Sequence, residues 1–480
     1  ATLLEAWLPA LRESADDRVR AAGLSWSGSS HYILGAYTAA IDYHQQALLI
    51  TRSTGDRIGE ARTLCNISQI FKAKSDYVAA LHFLSRSLTI QQAIDDRIGQ
   101  GTTLDTMAQI HKAQGNYDKA LDVLHQSLAI QQSIDDFAGI GSTLNNIATT
   151  LIAQGKYATA VDLLRQALSI QQLNGDRDHE AATLNSLATA AHAQGDYMTA
   201  MNYFHQSLKI TEAIGNQAGE ATILNNMATT AIAQGDYTNG LRVLKRALAI
   251  RKTIGDRNGE ATTLNNISQI YDAWGDYAAA LDYLQSSLLI QQAIGDRAGE
   301  GNTFNNMATA AMAQGDHATA LDYLQRALEI AQEIGDRPGE GVTLSNLGSI
   351  AHGQGDYTAA LHYLDQSLTI RQSIGDRTGE GTTLNNIAQV YKSQGNNTEA
   401  MVYLRRSLSI QQSVSDTPGL CVTLFNIGLI HAQNGEVNNA FVALLAAYQI
   451  AVRINYVQIL TALEGLAGQL GLPGGLAGWA

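Results

Sequence analysis

The chain has 480 residues, 45% of them hydrophobic and 16% charged, with a formal net charge of −13. An acidic balance without a Lys/Arg run argues against nucleic acid or an anionic membrane surface as the main partner, and no apolar stretch approaches the roughly 18 residues of a membrane span. Cys65 and Cys421 are too few and too far apart for a disulfide or zinc framework. A cytoplasmic location is expected, and because the chain begins at Ala1 rather than Met an extracellular one stays open.

Written in rows of forty, the chain aligns with itself without a gap. Gly115 and every fortieth residue after it to Gly435 share one column, which only Ser75 breaks. Asp56 and its equivalents to Asp416 share another, with Asn216 as the conservative exception. The length therefore describes one array of repeated units rather than several domains.

Residues 1–36 read as a degenerate N-terminal capping region, in which Gly23, Gly28 and four serines weaken a helix around 16–34 and Trp26 replaces the Asn usual at its position. Residues 37–54 form a second helix in register with the later ones. Ten complete helix pairs follow, with first helices at 57–74, 97–114 and so on to 417–434, and the array spans 37–454. Residues 455–470 read as a capping helix and 471–480 as a Gly-rich tail. Within a unit, Gly255 supplies a C-terminal cap able to take positive φ, and Asp256 offers an N-cap oxygen to the next helix. Leu264, Ile267, Ser268 and Tyr271 then fall on one helical face, and Tyr277, Ala280, Leu281, Leu284, Ser287, Leu288 and Ile290 form the buried stripe of the following helix. Helices of about 18 residues joined by two-residue turns must pack antiparallel. Pro338 and Pro418 lie in first turns, where a missing amide costs little.

The pattern Asn266, Ile267, Ser268, Tyr271, Gly275, Tyr277, Ala280, Leu284, Ser287 resembles the tetratricopeptide repeat signature. A period of forty places the resemblance nearest the longer-unit relatives, such as kinesin light chain and the LGN-type spindle adaptors, and it covers residues from about 35 to 454. The resemblance implies an all-α, right-handed α-solenoid whose first helices line a concave groove.

No phosphate-binding loop, dinucleotide fingerprint, HExxH or nucleophile elbow is present. The twelve histidines scatter over different columns. His111 and His431 take a core aromatic's place, while His192 and His352 fall on the open face. No catalytic residue, cofactor or metal site is expected.

At 100° per residue, the face opposite Leu264, Ile267, Ser268 and Tyr271 holds columns 262, 265, 269 and 272. Asn145, Asn225, Asn265, Asn305 and Asn385, with Gln269 and Thr309, are expected to line the groove there. The neighbouring column holds Asn66, Asn146, Asn226, Asn266, Asn306, Asn346, Asn386 and Asn426, with Thr106 and Ser186 as exceptions. An amide offers donors and an acceptor together, so a ladder of them pairs with successive peptide units of an extended chain. This resembles the asparagine ladder of O-linked N-acetylglucosamine transferase and the LGN-type adaptors. The alternative is that each Asn bridges to the adjacent unit. Arg257 with Glu260, and Arg297 with Glu300, read as exposed first-turn pairs, and Gln291 and Gln292 as a solvated edge.

These features point to a non-catalytic scaffold that binds an extended protein or peptide partner. A second reading is self-association into head-to-tail filaments, with the tail Leu472 to Trp479 plugging the next subunit near Trp7 and Trp26. A third makes the chain the sensor arm of a bacterial signalling ATPase, whose ends the segment 462–471 resembles.

Overall fold

The computed structural model describes residues 11–470 and Trp479. Among them are 23 helices and no strand. Asp17–Ile33 pairs with Tyr37–Ser53, and the same antiparallel pairing recurs from Arg57–Ala73 with Tyr77–Ala93 to Thr417–Gln433 with Val437–Ile454. Val457–Leu470 closes the series. The architecture is a right-handed α-solenoid. Val437–Ile454 is the one described helix long and apolar enough to span a membrane, with a mean hydropathy of 1.4, and it packs between Thr417–Gln433 and Val457–Leu470.

The caps are those the sequence calls for. Gly255 sits at φ 74°, the left-handed region, and the Asp256 side chain accepts from the Gly259 amide at 2.9 Å. Leu264, Ile267 and Ser268 are buried on the first helix, and Leu284 and Leu288 on the second. The Ser287 hydroxyl donates to the Ala261 carbonyl at 2.9 Å, and Ser87, Ser127, Ser207, Ser367 and Ser407 repeat that bond. A small hydroxyl at this column thus both permits close helix approach and pins the pair.

First helices of neighbouring units touch one another, for example Arg97–Ala113 and Phe137–Ala153, whereas second helices make no comparable contact among themselves. The array therefore curves with its first helices inside.

The curvature is tight enough that successive superhelical turns meet. The Ser75 hydroxyl accepts from the Ala298 amide at 3.1 Å and donates to Asp296 at 3.4 Å. Tyr157 and Thr378 share a 3.2 Å hydrogen bond, and the Asn455 amide donates to the Gln234 carbonyl at 3.1 Å. Each of these side-chain pairs lies 221 residues apart, about five and a half units. Between these points a Cβ at Gly115 would stand 2.8 Å from Pro338, and one at Gly195 would stand 3.2 Å from Pro418. A seam thus joins the turns inside the units of the first superhelical turn to the turns between units of the second. It explains two sequence irregularities at once: Ser75 accepts a left-handed φ of 62° while its hydroxyl bridges the seam, and Pro338 and Pro418 pack on it.

The seam also corrects the expected core stripe. Tyr37, Tyr77, Tyr117, Tyr157 and Tyr197 are buried because the second turn covers them. Tyr277, on the second turn, has nothing above it and is only half-buried. Burial, with Asp256, Asp296, Asp336, Asp376 and Asp416 facing it, raises the phenol pKa of the five covered tyrosines.

Trp479 folds back onto its own chain. It is 1% exposed, donates from Nε1 to the Leu463 carbonyl at 3.0 Å and stacks on Phe441. It is therefore not available as a plug for another subunit. Leu472 to Gly478, and Trp7, lie outside the described residues.

Candidate binding surface

The inner surface is built by first helices, and two asparagine columns behave differently on it. The column expected on the open face is buried at four positions: Asn225, Asn265, Asn305 and Asn385 are 4–8% exposed. The Asn265 amide donates to Ser287 at 2.7 Å and to Thr303 of the next unit at 2.8 Å, and Thr303 in turn donates to Gln291 at 2.7 Å. Asn225 reaches Thr263 and Asn305 reaches Thr343 in the same way. These side chains wire one unit to the next and do not face the groove, because the next first helix covers them. Asn145 is half-buried, and its Oδ1 is buried without a partner.

The column that opens the ladder is half-buried, and most of its members donate back to the preceding unit. Asn226 donates to Asn185 at 2.9 Å, Asn266 to Asn225 at 3.4 Å, Asn306 to Asn265 at 3.1 Å and Asn346 to Asn305 at 3.0 Å. Asn66, Asn386 and Asn426 do the same onto Ser25, Ser345 and Asn385. Asn146 is half-buried with no such bond. The amide nitrogens are thus engaged between units, while Oδ1 of Asn266, Asn306 and Asn346 accepts no hydrogen bond from the described residues. Gln269 and Thr309 are exposed on the inner face, together with Thr262 and Asn302.

Not every unit shares this wiring, since Cys65, Asp105, Ser345 and Phe425 stand in the same column. Asp105 takes the place of the buried asparagine, and Thr143 donates to its carboxylate at 2.8 Å and 3.0 Å. Burial raises its pKa to about 6, against the hydrogen bonds that lower it. Charged groups on the inner face are few. Lys72 donates to Gln109 at 2.9 Å and Lys112 to Thr149 at 3.0 Å, and burial lowers both ammonium pKa values. Asp272 has a buried Oδ1 with no partner, and burial raises its pKa.

Two further expectations are corrected. The carboxylates of Glu60, Glu180, Glu260, Glu300 and Glu380 are only 5–9% exposed, so the first-turn pairs are not solvated on the acid side. Each is held by its own unit's arginine, and Glu60, Glu180 and Glu380 also receive Arg52, Gln172 and Gln372 from the preceding helix. Gln291 is buried rather than at a solvated edge, since it accepts from Thr303. Gln292 is exposed.

Of the histidines, His111 is buried in the core position expected, and His192 and His352 on the inner face bond to Thr230 and Ser393 of the next units. Among the described residues no cluster of three or more His, Cys, Asp or Glu is placed to hold a metal. The seam was missed in the sequence. Its only trace is that Ser75, Pro338 and Pro418 break their columns, and reading those breaks as one feature requires knowing the superhelical pitch.

A comparison with curated proteins finds no match. Among solved structures, the chain is similar to a Rap protein complexed with Competence and Sporulation Factor, at 14% identity and a TM-score of 0.54, over 74% of this chain and 99% of that one. It is also similar to BtubC from P. vanneervenii, at 19% identity and a TM-score of 0.38 over 44% and 89% of the two chains. A signal-transduction ATPase with a tetratricopeptide repeat sensor, from Pyrococcus horikoshii, gives 16% identity and a TM-score of 0.44 over 70% and 52%. At these identities the likeness shows the fold alone. The tetratricopeptide repeat family model matches residues 19–93, 73–133, 139–213, 219–293, 299–373, 341–413 and 379–453. With helix pairs, caps and sequence signature agreeing over nearly the whole array, the chain belongs to the tetratricopeptide repeat family, a family of protein-interaction scaffolds.

Proposed function

We propose that this chain is a non-catalytic scaffold that holds one extended polypeptide segment inside its superhelix. The observation that carries this reading is the seam: with successive turns in contact, the inner surface is a bore entered from its ends. At the 8–10 Å spacing of packed helices, five and a half first helices enclose a ring roughly 15–18 Å across between axes. Subtracting a helix diameter of about 10 Å leaves a bore of roughly 5–8 Å, wide enough for an extended chain and too narrow for a helix.

The lining suits backbone recognition. Uncharged Thr262, Gln269, Asn302 and Thr309 are exposed along it, and Oδ1 of Asn266, Asn306 and Asn346 is an acceptor for peptide N–H groups. The similar Rap protein was solved in complex with Competence and Sporulation Factor, which accords with a ligand held by such an array.

The test is selection of peptides on the purified chain, followed by titration against two variants. Gln269→Ala with Thr309→Ala leaves the wiring between units intact and should weaken a selected peptide at least about tenfold. Asn226→Ala, Asn266→Ala and Asn306→Ala together should abolish binding while circular dichroism still shows full helicity. Affinity unchanged in both variants would defeat the reading.

A further inference from the structure

The internal seam leaves two edges of the molecule uncovered, and they are the two halves of the same interface. Where the seam is made, the turn glycines Gly35, Gly115, Gly155, Gly195 and Gly235 are packed against side chains 220 or more residues later. Past the end of the seam, Gly275, Gly315, Gly355, Gly395 and Gly435 have nothing within 4 Å of a Cβ position. On the opposite edge, the turns between the early units are equally bare at Gly55, Gly175 and Gly215. The first set are turns inside units and the second set are turns between units, the same two kinds that meet in the seam.

Exposed apolar side chains stand in the contact column of the N-terminal edge, and Trp274 stands in that of the C-terminal edge. In the seam, Pro338, Thr378 and Pro418 make the contact from the first turn of a helix. Their equivalents on the open N-terminal edge include Ile58, Ile98 and, one residue earlier, Phe137, which are 55%, 64% and 54% exposed. On the other side of the seam, Lys74 and Gln154 lie 3.3 Å and 3.5 Å from the Cβ positions of Gly295 and Gly375. The equivalent residues on the open C-terminal edge are Trp274, 48% exposed, and the exposed amides Gln314, Gln354, Gln394 and Asn434.

We infer that a second copy of this chain docks on these edges, head to tail and along the superhelix axis, so that the seam between turns continues from one molecule into the next. Because Val457–Leu470 already fills the place next to Gly235, the second copy starts one unit further on, and the turns at Gly315 to Gly435 of one copy lie on the turns at Gly55 to Gly175 of the other. The contact is heterologous and related by a screw, so it propagates rather than closing at a dimer. Trp479, already seated in its own cap, takes no part in it. The inference is independent of whether the bore holds a peptide.

Sedimentation velocity over a concentration series tests it. The wild-type chain should show a mass that rises with concentration beyond a dimer. Ile98→Glu with Phe137→Glu disables one edge and Trp274→Glu the other; all three side chains are exposed, so helicity should be retained. Each variant alone should remain monomeric where the wild type assembles. An equimolar mixture of the two variants should form a dimer that does not grow, because each supplies the edge that the other lacks. A wild-type chain that stays monomeric at its highest soluble concentration would overturn the inference. So would edge variants that assemble as the wild type does, or a mixture that stays monomeric while the wild type assembles.

Discussion

The first superhelical turn and the second are written in nearly the same forty residues, yet their equivalent side chains have different surroundings. Tyr157 is 4% exposed and bonded across the seam, whereas Tyr357, five units later, is half-buried. Gly115 is packed against Pro338, and Gly315 meets nothing within 4 Å. The difference arises only from position along the superhelix. Burial in such an array is a property of the pitch as much as of the unit, and a unit taken alone does not reveal which of its columns will be covered.

The largest expected effect is the loss of a covered tyrosine. Tyr157→Ala removes a buried aromatic and a seam hydrogen bond and should cost about 3–5 kcal/mol in denaturant unfolding. Tyr357→Ala, made in the same column, should cost less than half as much, and equal losses would mean that the seam does not bury the first turn. Asp105 offers the next contrast, because its equivalents Asn225, Asn265, Asn305 and Asn385 donate to the next unit's threonine. Its folded pKa of about 6 lies above the ordinary 3.8, so the folded state holds the proton more tightly. Stability should fall as pH rises from about 4 to 6 and stay at the lower level above that. Asp105→Asn should remove this slope and stabilise the chain at pH 7 by about 2 kcal/mol, read from unfolding at pH 4 and pH 7.

Glycine substitution sharpens the comparison at smaller scale. Both Gly115→Ala and Gly315→Ala carry the left-handed penalty of about 1–2 kcal/mol, but only the first drives a methyl into Pro338. The difference between them, about 1 kcal/mol or more, isolates the seam contact. Ser75→Gly should change stability by less than about 0.5 kcal/mol, since relief of backbone strain offsets two lost hydrogen bonds. A loss of several kcal/mol would show that the Ser75 bridge carries more of the seam than its neighbours do.

The helix pairs, caps and repeat period were legible because each is fixed within one unit: Gly255 ends a helix and Asp256 starts the next wherever the unit stands. The inner surface was legible only in part. An angular projection put column 265 on the open face, but a neighbouring first helix covers Asn265, and a helical wheel carries no neighbours. Gln291 and the buried carboxylate of Glu260 were misplaced for the same reason, since the preceding or following helix supplies their partners. The seam joins residues 221 apart, and its two sides share no motif that a sequence read in rows of forty would align.

Closure of the superhelix on itself is the claim from which the bore and the open edges both follow. Met198 and Arg453 are exposed residues that line one cavity at the last crossing of the seam, 255 positions apart in the chain. Spin labels at Met198→Cys and Arg453→Cys, measured by double electron–electron resonance on the dilute monomer, test closure directly. A single short and narrow distance is predicted. A long, broad distribution, as from turns that swing freely apart, would contradict it.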